Sequence, residues 1–456
     1  MPLTISDIGK AVMNTHYAVR GPIVARAQEL EKAGKEIIYC NIGNPQALKQ
    51  QPITYIRQVL ALTEYPQLIE VGNSMFPQDT IEIAKTILKE SKHGLGAYSD
   101  SKGMLFVRKA IAEFIERRDS TATLKVESNP DHIYLTDGAS KGVQTALRML
   151  ISKDHDGIMI PIPQYPLYSA TITLYGGTQV GYYLDESSGW NLSYKMLEES
   201  YLEAHARGVQ LKAIVVINPG NPTGSVLTRE NIEMVISFAK THGLSILADE
   251  VYQENIYRPD DSFISFARVM TEMHEQDVSL FSFHSTSKGF LGECGHRGGY
   301  MEVRNVPQDV LAQITKLQSV SLCSNLPGQV VTYLMVKPPE EGSPSYSKYI
   351  EEKKGILSEL AKRAKILADG LNAIPGISCQ PITGAMYAFP SIKLPQGRTD
   401  EEYCMALLEQ EGVCLVPGTG FKQVAGTAHF RTTILPPTEQ MLRVVEKIRR
   451  FHLTWK

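Results

Sequence analysis

One stretch of the sequence, HSTSKGFLGECGHRGGYME (residues 284–302), surrounds a lysine with small and hydroxylated residues. Lys288 follows the strand-like apolar run VSLFSF, and Ser285, Gly289 and Arg297 lie nearby in sequence. A lysine flanked by hydroxyl groups and a cation can lose its proton. An amine attacks a carbonyl carbon only after this deprotonation. A solvated loop lysine is the commoner use of this residue type. The nucleophile hypothesis therefore needs support from the rest of the chain.

Two other apolar runs end in residues that suit a polar or anionic ligand. After IYLT comes DGAS (137–140), where Ser140 and backbone N–H groups at a helix start predict an anion or phosphate site. A plain capped helix start is the commoner alternative. After AIVVI comes NPGNPTG (218–224), a turn-rich loop in which the Asn221 amide is free to bind a ligand.

A further apolar run, SILA, is followed by DEVY, which places Asp249 at a strand end and Tyr252 within one turn of it. A carboxylate in that position needs a partner, and capping of the next helix is an equally good alternative for Asp249. Together the four strand ends provide a phosphate site, an amide, a carboxylate, a phenol and a lysine. A lysine Schiff base with an aspartate on the pyridinium nitrogen is the arrangement of pyridoxal phosphate enzymes.

The elements that position these residues are strands alternating with helices. Between about residues 80 and 325, short apolar runs such as GIMIPIP and LKAIVVINP alternate with helical patterns such as RENIEMVISFAKTHG. This alternation predicts an α/β fold with a parallel sheet covered on both faces. Ligands of such sheets bind outside the carboxyl ends of the strands, where the candidate residues lie.

The organisation outside this region predicts a second, smaller unit. A proline- and serine-rich break at 337–345 precedes a long helical stretch whose apolar residues recur every three or four positions, from Leu357 to Leu371. We predict three parts: residues 1–75 as an N-terminal arm and part of a small domain, 76–336 as a large cofactor-binding α/β domain, and 337–456 as an interdomain helix and C-terminal small α+β domain.

Bulk composition excludes several classes of function. The chain has 456 residues, 21% of them charged, and a formal net charge of −3. It therefore lacks the large excess of positive charge that is typical of nucleic-acid-binding proteins. Its six cysteines form no CxxC pair and have no histidines at ligand spacing beside them, which predicts no metal site and suits a reducing compartment.

The sequence also leads us to expect a cytoplasmic protein without a membrane partner. No apolar run approaches the roughly 18–20 residues that span a bilayer. The first residues, MPLTISDIGKAVMNTHYAVRG, have neither an apolar signal segment nor the composition of a transit peptide.

Several motifs give the chain a resemblance to a known family. NPGNPTG, DEVY and the Ser-x-x-Lys…Arg run resemble fold-type I pyridoxal-phosphate aminotransferases of class I/II, and GECGHRGGY with PITYIRQV resembles their alanine-type subgroup. Arg297 lies nine residues after Lys288, where the wider class usually has eight, and the longer spacing suits that subgroup. The resemblance implies a large domain with a mostly parallel seven-stranded sheet between helices, and a smaller α+β domain.

The resemblance also implies roles in binding pyridoxal 5′-phosphate. Lys288 would form the Schiff base and move the proton, and Asp249 would pair with the pyridinium nitrogen. Asn221 and Tyr252 would bind the 3′-oxygen, and Tyr165 would stack on the ring. The phosphate would be held by Ala139, Ser140, Ser285 and Arg297, with Tyr98 reaching it from the neighbouring subunit of a homodimer.

For the substrate, the resemblance implies that Arg431, in the motif HFR, binds the α-carboxylate as a bidentate fork. Gly43 and Asn221 would lie against the substrate. The expected reaction is transamination from L-alanine to 2-oxoglutarate by a ping-pong mechanism, with amino acids and 2-oxo acids as the small-molecule partners. Glyoxylate as acceptor remains an alternative, as do another reaction on the same cofactor and a non-enzymatic ligand sensor or scaffold. A nicotinamide dehydrogenase does not fit, because GLGAYS lacks the third glycine of the dinucleotide fingerprint.

Overall fold

The computed structural model describes residues 2–17, 21–71 and 74–455, and within them it contains fourteen strands and sixteen α-helices. The strands are β1 Ile38–Tyr39, β2 Ile133–Leu135, β3 Asp156–Ile162, β4 Thr178–Tyr183, β5 Gln210–Ile217, β6 Ser245–Asp249, β7 Leu280–Ser285, β8 Gly299–Arg304, β9 Ile377–Ser378, β10 Tyr387–Ala388, β11 Ser391–Ile392, β12 Val413–Cys414, β13 Val416–Pro417 and β14 Phe430–Thr433. The helices are α1 Lys10–Met13, α2 Pro22–Lys32, α3 Thr54–Glu64, α4 Leu68–Val71, α5 Gln78–Glu90, α6 Leu105–Asp119, α7 Ala139–Leu150, α8 Pro166–Leu174, α9 Tyr194–Ala206, α10 Arg229–His242, α11 Phe266–Glu272, α12 Gln308–Ser319, α13 Leu326–Val336, α14 Tyr346–Asn372, α15 Asp400–Glu411 and α16 Thr438–Thr454.

Seven of the strands form one sheet in the order β2-β8-β7-β6-β5-β3-β4. The neighbours from β7 to β4 run parallel, and β8 is antiparallel to both β2 and β7. The predicted α/β fold with a mostly parallel seven-stranded sheet is therefore confirmed.

Both faces of the central strands are buried, which explains their unbroken apolar sequences. In β5, Val216 faces a core that includes residues of α9, α10 and α11. The adjacent Val215 points to the opposite face, where α7, α8 and α12 contribute. This alternation fixes the register of β5, because a slip of one residue would exchange its two faces.

A second core joins the two ends of the chain. Strand β1 pairs in parallel with β12, and β10, β14 and β13 form an antiparallel sheet nearby. Helix α14 buries the predicted apolar stripe, including Leu360, Ala364, Leu367 and Leu371, in this core. Helices α3 and α5 instead pack in a cluster with α6 and α13. The division into three parts with boundaries at 75 and 336 stays a prediction.

Two further features of the described residues concern partners. None of their helices combines the length and the apolar composition needed to cross a membrane. In the same residues, no group of three or more His, Cys, Asp or Glu side chains is placed to hold a metal ion.

Candidate active site

A cavity of ≈ 650 Å³ lies where β5, β6 and β7 end, and most of the candidate residues line it. Strand β6 ends at Asp249, β7 ends at Ser285, and the loop after β5 carries Asn221. The candidates that line the cavity are Gly43, Ala139, Ser140, Tyr165, Asn221, Asp249, Tyr252, Ser285, Lys288, Arg297 and Arg431. Their individual roles stay predictions.

Lys288 is positioned by the turn that follows β7. Its Nζ donates a hydrogen bond to the carbonyl oxygen of Gly43 at 2.7 Å. The turn is held by Ser285, whose Oγ accepts from the Ser287 backbone N–H at 3.2 Å. Gly289 then adopts a φ of 67°, a left-handed conformation that favours glycine. The amine therefore projects into the cavity from a fixed backbone.

Asp249 is a buried carboxylate with one oxygen satisfied and one free. Its Oδ2 accepts a hydrogen bond from the Tyr168 hydroxyl at 2.9 Å, whereas Oδ1 is buried and has no partner among the described residues. Burial raises the pKa of Asp249 to about 6, although the hydrogen bond from Tyr168 and the charge of Lys288 act in the opposite direction. A cationic hydrogen-bond donor in the cavity would satisfy the free oxygen and favour the ionised form.

The start of α7 and Arg297 form a site for an anion. Gly138 precedes the helix with a φ of 76° and provides no side-chain cap, so the first N–H groups of this 12-residue helix remain available. The Arg297 Nη2 lies 2.4 Å from the position that a Cβ on Gly138 would occupy. Backbone oxygens of Asp137 and Cys294 accept from the guanidinium at 3.1 Å and 3.0 Å, which orients it beside the helix start.

Arg431 is a buried cation at the other end of the cavity. It lies on β14, is only 1% exposed, and has no carboxylate partner among the described residues. Its Nη2 donates to the carbonyl oxygen of Asn41 at 2.6 Å, and its Nη1 to Asn221 Oδ1 at 3.4 Å. The guanidinium carbon lies 4.4 Å from the ring centre of Tyr387 and 4.7 Å from that of Phe421. A buried cation without a counter-ion is costly, so this position suits an anionic ligand.

The hydroxyl of Tyr387 and the amine of Lys288 both lie close to Gly43. A Cβ built on Gly43 would fall 1.7 Å from the Tyr387 hydroxyl and 3.1 Å from Lys288 Nζ. Only glycine fits at this position. Burial would raise the pKa of the Tyr387 phenol, but the positive charges of Lys288 and Arg431 lower that pKa below its ordinary value.

Two more tyrosines were candidates. Tyr165 lies at the wall of the cavity just before α8, and its hydroxyl is 3.3 Å from that of Tyr17 in the N-terminal arm. Tyr98 is 78% exposed and is not among the residues that line the cavity. Its expected role across a subunit interface stays a prediction.

Sequence reasoning missed three residues that touch the site: Tyr168, Tyr387 and Asn41. Tyr168 is separated from Asp249 by 81 positions, and Asn41 from Arg431 by 390. No local motif links partners so far apart. A weak signal for Tyr387 was present in GAMYAF, where an aromatic residue interrupts small ones at the start of a strand.

The cavity meets the requirements of pyridoxal 5′-phosphate at three separate points. The free Asp249 oxygen suits a protonated ring nitrogen, and the start of α7 with Arg297 suits a phosphate. Lys288 supplies an amine for an aldehyde between them. The residues present therefore fit this cofactor.

Comparison with known proteins identifies the family. The family model described as "Aminotransferase class I and II" matches residues 67–448. The chain belongs to the class I and II aminotransferases. It is 48% identical to a probable mitochondrial alanine aminotransferase of Dictyostelium discoideum, over 99% of this chain and 89% of that protein. It is 46% identical to glutamate–glyoxylate aminotransferase 1 of Arabidopsis thaliana, over 99% of this chain and 96% of that protein.

A solved structure agrees with this assignment of an aminotransferase fold. The alanine aminotransferase of Pyrococcus furiosus superposes with a TM-score of 0.80 and 27% sequence identity. The superposition covers 98% of this chain and 99% of that chain. The likeness therefore includes both the sheet and the smaller core that carries Arg431.

The expectation of a cytoplasmic protein is wrong in the light of these relatives. The Dictyostelium aminotransferase is named a mitochondrial protein, and so are alanine aminotransferases 1 and 2 of Arabidopsis thaliana. The expectation rested on the composition of the first residues, on cysteine use and on the lack of a long apolar run. Those properties could not decide the compartment.

Proposed function

We propose that this aminotransferase transfers the amino group of L-alanine to 2-oxoglutarate, giving pyruvate and L-glutamate. The observation that carries the proposal is the buried, uncompensated Arg431 in the same cavity as Lys288. Arg431 suits the carboxylate of an α-amino or 2-oxo acid, and Lys288 suits the reaction at the adjacent carbon, which carries the amine or ketone. Alanine as donor is supported by the relatives that bear its name.

The proposed cofactor is pyridoxal 5′-phosphate, which when bound supplies an electron sink and a carrier for the amino group. Lys288 would hold it covalently, and Asp249 Oδ1 would keep its ring nitrogen protonated. Asn221 and Tyr252 would donate to its 3′-oxygen, and Tyr165 would cover its ring. The N–H groups of Ala139 and Ser140 would hold the phosphate together with Ser285 and Arg297.

The protein side chains then have separate tasks with the substrate. Arg431 binds the α-carboxylate through two N–H groups, which fixes the orientation of Cα. As a free amine, Lys288 would take the proton from the substrate Cα and deliver it to C4′, the cofactor carbon that carries the transferred amino group. Gly43, which would lie against the substrate, leaves no room for a side chain of its own beside Tyr387 and Lys288.

A homodimer is part of the proposal, with Tyr98 completing the phosphate site of the partner subunit. The support is the exposure of this side chain, 78%, outside the cavity of its own subunit. A Tyr98→Phe variant should bind the cofactor more weakly, and mixing it with a Lys288→Ala variant should restore one complete site in each heterodimer. No recovery of activity on mixing would contradict the shared site.

The first experiment is an absorption spectrum of the purified enzyme before and after addition of L-alanine. The proposal requires loss of the band of the aldehyde form, a rise in that of the amine form, and reversal by 2-oxoglutarate. A coloured protein that ignores alanine would refute alanine as donor. A colourless protein that cannot be reconstituted with pyridoxal 5′-phosphate would refute the cofactor.

Glyoxylate is the second candidate acceptor, because a glutamate–glyoxylate aminotransferase is 46% identical to this chain. Both acceptors present the carboxylate that Arg431 would bind, and they differ in the rest of the molecule. Steady-state kinetics with alanine as fixed donor separates them through the ratio of kcat/KM for 2-oxoglutarate and glyoxylate. A ratio that favours glyoxylate would transfer the proposal to that acceptor.

A further inference from the structure

Two sequence motifs that have no role in the proposal above meet in the folded chain. PITYIRQV (52–59) runs into the first turns of α3, and GECGHRGGY (292–300) follows Lys288 and contains Arg297. The Arg57 Nη2 donates a hydrogen bond to Glu293 Oε2 at 2.9 Å, across 236 positions. This ion pair joins α3 to the loop that carries Arg297.

Glu293 is a buried carboxylate whose position depends on Arg57. Its side chain is 1% exposed, and the same Oε2 also accepts from His296 Nδ1 at 2.9 Å. The other oxygen, Oε1, is buried and has no partner among the described residues. Without Arg57 the carboxylate would keep His296 as its one side-chain donor. A buried charge with so few partners is costly, so loss of Arg57 should displace Glu293.

A displacement of Glu293 would reach Arg297 through the short turn Cys294–His296. Arg297 ends this turn with a φ of 53°, a left-handed conformation that a side chain other than glycine holds only with support from its surroundings. The Cys294 carbonyl oxygen in the same turn accepts from Arg297 Nη1 at 3.0 Å. Both the backbone and the guanidinium of Arg297 therefore depend on where the turn lies.

Arg57 also ties this loop to the segment that follows Gly43. Its Nη2 donates to Gln46 Oε1 at 2.9 Å, and Gln50 Nε2 donates to the Phe290 carbonyl oxygen at 2.8 Å. The two segments pack closely at Gly292, where an added Cβ would lie 2.9 Å from both Pro45 and Gln50. One exposed cation thus holds together two segments that border the cavity.

We propose that Arg57 and Glu293 are positioning residues for the phosphate end of the cofactor site. Neither lines the cavity, so they act through the turn at Cys294 and through Arg297. This inference rests on the proposed function, because it takes Arg297 to bind the cofactor phosphate. Lys288 would still be free to bind the aldehyde in a variant that lacks the pair.

The test compares the affinities of the full-length, cofactor-free protein for pyridoxal 5′-phosphate and for pyridoxal. Both molecules provide the aldehyde, and only the first has the phosphate. Both dissociation constants come from absorption titrations and require no catalysis. Arg57→Ala should lower the preference for the phosphorylated form about tenfold or more. General damage to the fold would weaken both affinities and leave their ratio unchanged.

The matched control is Lys240→Ala. Lys240 is 52% exposed and its Nζ lies 2.9 Å from an oxygen of Glu275, which is 4% exposed, so the geometry resembles that of Arg57 on Glu293. Neither Lys240 nor Glu275 lines the cavity. This variant should keep the wild-type ratio of affinities. Arg57→Lys keeps a cationic donor without the planar guanidinium and should recover part of the preference.

Glu293→Gln approaches the same pair from the buried side. Glutamine keeps the shape and one acceptor oxygen but removes the charge, so the preference for the phosphorylated form should fall here too. The double variant Arg57→Ala/Glu293→Gln should lose less than the two single losses combined, because the second change removes the unpaired buried charge. Fully additive losses would overturn the pairing. Glu293→Gln also decides the inference if Arg57→Ala does not fold.

Arg297→Ala distinguishes the failure of this inference from failure of the proposed phosphate site. If Arg297→Ala lowers the preference for the phosphorylated form and Arg57→Ala does not, the positioning role is refuted and the phosphate site stands. If Arg297→Ala leaves the preference unchanged, Arg297 does not bind the phosphate, and both assignments are refuted. The response to alanine tests the substrate separately.

Discussion

Asp249→Asn should stabilise the cofactor-free protein while impairing the loaded enzyme. The wild-type carboxylate is buried, one of its oxygens has no partner, and its pKa is about 6 against an ordinary value of 3.8. That difference corresponds to about 3 kcal/mol of unfolding free energy at neutral pH. Asparagine keeps the shape and can still accept from Tyr168. The variant should therefore gain at most about 3 kcal/mol in the cofactor-free state.

The pH dependence of this gain has a definite sign. A carboxyl group whose folded pKa is raised binds its proton more tightly in the folded state, so its contribution favours folding at low pH. That contribution is lost as the pH rises from the ordinary value of 3.8 through about 6. The difference between wild type and Asp249→Asn should accordingly be largest above pH 6 and should vanish below pH 3.8, where the wild-type carboxyl is neutral.

Urea unfolding of the two cofactor-free proteins across this pH range measures the effect. Cofactor affinity provides the opposing readout, because the variant lacks the charge that favours a protonated ring nitrogen. It should bind pyridoxal 5′-phosphate more weakly and turn over slowly. A variant that is no more stable than the wild type at neutral pH would refute the view that Asp249 is held ionised at a cost to the fold.

Three other substitutions test the site. Lys288→Ala should lower transamination at least about a hundredfold and leave far-ultraviolet circular dichroism unchanged; near wild-type turnover would exclude Lys288 as the reacting amine. Arg431→Ala should raise the KM for both alanine and 2-oxoglutarate about tenfold or more, and unchanged values would place the carboxylate elsewhere. Gly43→Ala should inactivate the enzyme, because its Cβ would meet the Tyr387 hydroxyl at 1.7 Å. Gly9→Ala, with nothing within 4 Å, is its control, and equal activity in the two variants would contradict the crowding argument.

The sheet and much of the cavity could be predicted because their signals are local in sequence. Strands buried on both faces are read directly from apolar runs such as AIVVI, and parallel strands bring their carboxyl ends to one edge. Asp249, Asn221 and Lys288 each follow such a run within a few residues. The sequence therefore placed them in one cavity before any contact between them was known.

The parts that could not be predicted depend on contacts between distant segments. Tyr168 donates to Asp249 from α8, and Asn41 accepts from Arg431 across 390 positions. Nothing in the residues around Tyr168 or Asn41 distinguishes them from ordinary packing or loop residues. The packing of α3 with α6 and α13 could not be predicted either, because the apolar face of an amphipathic helix does not specify which element it packs against.

The pairing of β1 with β12 has a consequence for how the enzyme is made on the ribosome. Ile38 of β1 pairs with Val413 of β12, so β1 can pair only after another 375 residues have been translated. At the usual speed of translation this delay is roughly 20–75 s. The residues of the large sheet emerge during the interval and can begin to fold, whereas the carboxylate-binding end forms only with the last part of the chain. A nascent chain released early would hold Lys288 and Asp249 but lack Arg431.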